Sequence, residues 1–290
     1  MDFIETLING LSMGSTYAMI ALGYTMVYGI AKMLNFAHGD IIMVGGYMIF
    51  VTMTATGNPF LGLLVAVICC VLLGIGIEKV AYKPLRGASP LAVLITAIGV
   101  SYLLQSLAQI IFGTAPKMVN VADLGNLNVA GLTIPIYTLV TLGCSMVIMT
   151  ILSLFVKYTR TGRAMIAVSE DKGAAQLMGV NVDRIIMITF AIGSALAAFA
   201  GLFMLMKSPS LTNTLGAMPG IKAFTAAVIG GIGSIPGAML GGLLMGVVEA
   251  ISLTIPAIAP YTDAIEFIIL IIILLVRPTG ILGKKRREKV

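Results

Sequence analysis

The stretch FLGLLVAVICCVLLGIGI, Phe60 to Ile77, runs for eighteen residues without a charge. A helix crossing a hydrocarbon core of about 30 Å needs about 20 predominantly apolar residues. Working outward from this stretch, comparable runs occupy approximately 6–28, 41–56, 91–112, 135–156, 185–206, 237–255 and 264–276. A further run, 221–232, is too brief to cross alone. Backbone polar groups inside lipid must be satisfied within the segment, which selects helices for such runs. The pattern predicts an all-α polytopic membrane protein, one domain over 1–290, with about eight transmembrane helices and one or two broken or re-entrant segments.

Composition excludes the other classes. Hydrophobic residues are 59% of the chain, and its 33 glycines raise the apolar share to about 70%, against roughly 45–50% in a soluble domain. Charged residues are only 10%, so neither a water-facing exterior nor a disordered chain fits. Three cysteines, two of them the adjacent Cys69 and Cys70, do not make a disulfide scaffold. The net charge of +6 is not a nucleic-acid stripe, because six of the 18 basic residues form a tail over 277–290.

Loop charge sets an expected orientation. Lys79, Lys83 and Arg86 follow the third run, and Lys157, Arg160, Arg163, Lys172 and Arg184 follow the fifth. With the tail these are fourteen of the 18 basic residues, which places the three segments in the cytoplasm. The opposite loops, 113–134 and 207–220, hold one lysine each, Lys117 and Lys207. The N-terminus, with Asp2 and Glu5, is then outside and the C-terminus cytoplasmic. Parity closes only if 221–232 dips inward and 237–255 returns outward. No signal peptide is read, so the first span is expected to be retained. Turn residues among alternating apolars over 119–128 predict a small external hairpin.

Enzymatic signatures are missing. His38 is the sole histidine, the cysteines lack zinc spacing, and no Walker A sequence exists. The Gly-rich Gly230–Gly237 stretch follows no strand and carries Pro236 where a dinucleotide fingerprint needs glycine. It reads as a close-packed membrane turn. Gly10/Gly14 and Gly242/Gly246 are G-x-x-x-G pairs suited to helix packing.

Three features carry information. Asn35-Phe36-Ala37-His38-Gly39-Asp40 sets three polar residues between two apolar runs. Ionisable groups at membrane depth commonly mark a transport pathway, and broken helices build permeation sites. The alternative is a cytoplasmic turn in which Asp40 caps a helix starting at Ile41. Next, Lys222 precedes the glycine-rich turn, and the order of break, helix and paired glycines (Gly45-Gly46, Gly241-Gly242) hints at an internal repeat. Last, in the loop about 157–184, Asp171 suits an N-cap and Gly179 a C′ position, predicting a two-turn helix over 172–178. This helix is suited either to a groove on a partner or to a solvated connector. Glu249 and Glu266 fit the outer interface or the route.

Asn35–Asp40 with Gly45-Gly46-Tyr47, the loop from Gly162-Arg163 through Ala174-Ala175-Gln176-Leu177-Met178-Gly179, and Lys222-Ala223-Phe224 with Gly230–Ala238 together resemble permease subunits of bacterial branched-chain amino acid ABC importers, of the LivH type. The resemblance spans the chain. It departs at Lys172-Gly173, where the family pattern carries a proline and an acidic residue. It implies a subunit of the inner membrane with no catalytic residues or cofactor of its own, ATP being bound by partners. The implied partners are a second permease of the LivM type, two ABC ATPases and an extracytoplasmic binding protein. Asn35, His38, Asp40, Tyr47 and Lys222 would line the pathway or its gate. Arg163, Glu170, Asp171, Ala174, Ala175, Leu177 and Gly179 would couple to the ATPase. The solute would be leucine, isoleucine or valine, moved by alternating access. The competing readings are a stand-alone channel or secondary transporter for a small polar solute such as urea or an amide, and a non-transporting scaffold.

Overall fold

We describe residues 3–121, 124–129 and 132–283 of a computed structural model of the chain. Asp2 and the tail residues Lys284, Lys285, Arg286, Arg287 and Lys289 lie outside these. Eleven α-helices appear among the described residues: α1 (Phe3–Ala31), α2 (His38–Thr56), α3 (Pro59–Ile77), α4 (Pro90–Phe112), α5 (Ile136–Tyr158), α6 (Arg160–Glu170), α7 (Lys172–Leu177), α8 (Val182–Lys207), α9 (Ala217–Gly230), α10 (Ile235–Thr254) and α11 (Thr262–Val276). Each of the eight long apolar runs is a helix.

Helix starts follow local chemistry. The side chain of Asn58 accepts from Phe60 N and Leu61 N with Pro59 in the first turn, and Ser89 accepts from Ala92 N ahead of α4. Asn181 and Ser234 cap α8 and α10 in the same way. These caps satisfy amides that lack intrahelical partners.

Seven helices are long and apolar enough to cross a membrane. The one expected span outside that set is α1, the longest at 29 residues. Asn9, Ser12, Ser15, Thr16 and Thr25 dilute its apolar character because its neighbours are other helices, not lipid. From Ser12 to Ala31 nearly every side chain of α1 is buried. The periphery is the reverse: α4 and α11 are mostly uncovered, and Ile95, Tyr102, Ile110 and Leu275 stand exposed.

The two G-x-x-x-G pairs interlock. A Cβ on Gly246 would lie 2.0 Å from Gly14 N, and one on Gly242 would lie 2.3 Å from Ala18 Cα. The antiparallel α1–α10 contact is thus nearly backbone against backbone, the geometry that small residues permit. Gly241 meets the Ala226 carbonyl and Gly237 that of Gly230 in the same manner, closing the α9–α10 hairpin. The turn between them has Gly231 at φ 105° and Gly233 at φ 94°, conformations that favour glycine.

The loops gather at two ends. At one end β1 (Lys117–Met118) pairs with β4 (Ser210–Leu211), and Glu5 accepts from the amide of Thr133. At the other, Arg86 bridges Glu78 and Asp183, Lys83 bonds Asp183 at 2.9 Å, and Ile281 N reaches Ile229 O at 2.8 Å. The first two segments grouped by loop charge therefore lie together, and the described start of the third packs on the end of α9. α9, with 14 residues, is about 21 Å long and too short to cross.

One local expectation is corrected. The hairpin is β2 (Asn126–Val129) with β3 (Leu132–Pro135), not 119–128. Val119 and Val121 are buried against the bundle, so their alternation covers core instead of forming a hairpin face. The stretch 160–170 ahead of α7 is the amphipathic helix α6, its Thr159 side chain accepting from Gly162 N.

Candidate permeation and coupling sites

α1 ends at Ala31, Lys32 takes φ 60°, and the chain turns back through Met33–Ala37 before α2 begins at His38. A Cβ on Gly23 would lie 2.4 Å from His38 Nε2. Gly23 is eight residues, about 12 Å, short of the end of α1. α2 thus starts inside the bundle. The N-terminus of α9 meets it there: a Cβ on Gly39 would lie 2.4 Å from Gly216 O, and one on Gly220 would lie 3.2 Å from Gly39 Cα. From this junction α2 runs toward β4, where Gly46 packs on Leu211, and α9 runs toward the opposite end. Long helix, break, shorter helix occurs twice, as α1–α2 and α8–α9. The paired glycines used to suggest a repeat play different parts: Gly45 packs on Ala198, and Gly242 on Ala18.

Asp40 is not a cap for a helix at Ile41. The helix already starts at His38, no side chain caps it, and Asp40 is buried, accepting from Gln105 Nε2 of α4 at 2.8 Å. In the first turn of α2 its charge answers two helix N-termini that meet head to head. Asn35 and His38 point elsewhere. Asn35 Oδ1 accepts from Tyr82 Oη at 2.9 Å, and the His38 ring stands edge-on to Tyr24 at 4.8 Å. The three side chains are each buried but diverge, toward Tyr82 in the turn after α3, toward α1 and toward α4, so they do not converge on one pocket. Tyr47 is buried and stacked on Phe112 at 4.2 Å.

Lys222 is the centre of a second group, buried except for Asp263. Its Nζ lies 3.0 Å from Glu249 Oε1, 2.8 Å from Asp263 Oδ1 and 3.4 Å from Glu266 Oε2. Three helices, α9, α10 and α11, are tied there. Glu249 and Glu266 sit near helix ends, as an interfacial placement requires, but both turn inward. Desolvated carboxylates need such a partner. The convergence of Asp263 and Glu266 on Lys222 had no signal in the sequence, because the partners come from separate helices.

At the far end α7 follows the expected chemistry. Asp171 accepts from Ala174 N at 2.9 Å, and Gly179 follows the C-cap Met178 at φ 83°. Arg163, Glu170, Ala174, Leu177 and Gly179 are exposed, whereas Ala175 is buried beneath them. Leu177 and Met178 are 90% and 84% exposed, an apolar tip on a polar end. Lys172 Nζ donates to Ala31 O at 2.8 Å, tying α7 to the end of α1 where the break begins. Burial first, then Arg86, pulls the Lys172 ammonium below the usual lysine range.

The family described as branched-chain amino acid transport system / permease component matches residues 6–274. The chain is 43% identical to the high-affinity branched-chain amino acid transport system permease protein LivH of Salmonella typhimurium, over 99% of this chain and 98% of that protein. It is equally similar, at 43% and the same coverage, to BraD of Pseudomonas aeruginosa, described in the same words. A ribose import permease of Haemophilus influenzae is 27% identical over 84% of this chain and 76% of its own length. Among solved structures, a metal-chelate type ABC transporter in an inward-facing conformation shares the fold at TM-score 0.50 and 14% identity, covering 94% of this chain and 87% of that one.

Proposed function

The chain belongs to the branched-chain amino acid transport permease family, and we propose from that membership that it is the membrane subunit of an ATP-driven importer of leucine, isoleucine and valine. The carrying observation is similarity over almost the whole length to permeases of that description. A second permease of the LivM type, two ATPase subunits and an extracytoplasmic binding protein complete the machine. ATP stays on the ATPases, and no cofactor is needed here. The α6–α7 end faces the cytoplasm, which agrees with its basic loops, and the N-terminus faces outward in the inner membrane.

Arg163, Glu170, Asp171, Ala174, Ala175, Leu177 and Gly179 form or shape the ATPase-facing surface, with Leu177 and Met178 as the apolar plug for a groove. A push on α7 reaches Ala31 through Lys172, and from there the break that carries Asn35, His38 and Asp40. The junction of α2 and α9 is the element whose two arrangements ATP and solute bias. Asn35, His38, Asp40, Tyr47 and Lys222 act as a gate frame, held against several helices, and not as a selective pocket. The test is a crosslink: Ala174→Cys should join an engineered cysteine on the co-purified ATPase. Absence of a crosslink at every position over 164–179 would refute the coupling surface.

A further inference from the structure

A cavity of about 410 Å³ opens between α1, α5, α8 and α10, at the end of the bundle away from α7. Its size is within the roughly 300–1,000 Å³ of small-molecule sites. One wall is a ladder of polar side chains at helical spacing, Thr6, Asn9, Ser12 and Thr16 of α1, facing Thr138 and Thr141 of α5. Met13, Phe203 and Leu253 supply apolar surface, and Lys207 stands at the mouth.

Several of these polar groups are not used by the protein itself. Thr141, one of the lining residues, is 3% exposed, and its buried Oγ1 has no hydrogen-bond partner. Ser145 Oγ, one turn further along the same buried face of α5, is likewise unpartnered. Thr138 donates only a long 3.4 Å bond to Asn9 Oδ1. Buried hydroxyls without partners are costly, so an α5 face of Thr138, Thr141 and Ser145 is a poor choice for packing alone. Lys207 forms no ion pair among the described residues. The C-terminal turns of α8 and α10 reach the same rim, and helix C-termini favour a cation.

We propose that this cavity binds one small aliphatic amino acid inside the subunit, its carboxylate at Lys207, its ammonium among the helix ends and the Asn9–Thr138–Thr141 oxygens, and its side chain on Met13, Phe203 and Leu253. The proposal rests on the substrate class given above and deepens it. It assigns this subunit solute-binding residues of its own.

The test uses the complete transporter in proteoliposomes, with Cys69, Cys70 and Cys144 replaced and Thr141→Cys introduced. A small thiol reagent should modify T141C, and leucine should slow that reaction several-fold while urea does not. If T141C assembles poorly, Thr138→Cys on the same wall is read in its place. In the parent, Lys207→Met should raise the leucine KM about tenfold, which is about 1.4 kcal/mol. It should also erase the preference for leucine over leucinamide, a change that loss of structure would not produce. A parent that imports no leucine overturns the proposed substrate, and this site with it. A parent that imports leucine while modification of T141C is blind to it, or is blocked by lipid regardless of leucine, overturns the cavity site alone.

Discussion

Replacing Gly246 by alanine tests the helix contact on which the bundle is built. The new Cβ would lie 2.0 Å from Gly14 N, 2.2 Å from Gly14 Cα and 2.5 Å from Gly10 O. All three are backbone atoms, so no side chain can swing aside. Contacts under 3.0 Å are not tolerated, so α1 and α10 must separate by about 1 Å. Overpacking of this kind costs about 1–3 kcal/mol, which lowers Tm by roughly 2–12 °C for a chain of this size. The opposing term is the better helix propensity of alanine, at most about 1 kcal/mol. Gly143 of α5 isolates that term, because a Cβ there meets nothing within 4 Å. Thermal unfolding of both purified variants, followed by buried-thiol reactivity, gives the comparison. Gly246→Ala should melt well below the parent, and Gly143→Ala at or above it. Equal melting of the two variants would refute the close α1–α10 contact.

Lys222→Met leaves Glu249, Asp263 and Glu266 without their cation. Stability should fall by about 3–5 kcal/mol, and adding Glu266→Gln should recover part of it in the same melting assay. Asp40→Asn keeps an oxygen for the Gln105 amide but removes the charge beside the two helix N-termini. Uptake should drop while membrane insertion, read by protease protection, stays intact, and His38→Ala should act likewise. Wild-type uptake in both would reduce these residues to turn formers. Leu177→Asp changes a side chain that is 90% exposed, so stability should move by less than about 0.5 kcal/mol. ATPase co-purification and uptake should nevertheless be lost.

Features with local causes were legible in the sequence. Length and apolarity marked each long helix from α1 to α11. Four glycines and Pro236 within Gly230–Gly237 marked the hairpin that makes α9 a partial span. Asp171 and Gly179 marked both ends of α7, because caps act within a few residues. Features made by distant partners were not legible. Nothing near Asp40 announces Gln105, and nothing near Lys222 announces that carboxylates from α10 and α11 converge on it. The meeting of Gly39 with Gly216 depends on α2 beginning inside the bundle, a depth that periodicity does not encode. The hydroxyls of α5 show the same limit: Thr138 and Thr141 look ordinary in an apolar run until they are seen to border the cavity.

The most direct measurement is leucine uptake into vesicles under two conditions: the chain alone with an imposed ion gradient, and the chain co-assembled with its second permease, ATPases and binding protein with ATP supplied. Uptake that needs the ATPases and ATP is the predicted result. Uptake by the chain alone, driven by the gradient, would contradict the importer account and restore the stand-alone transporter.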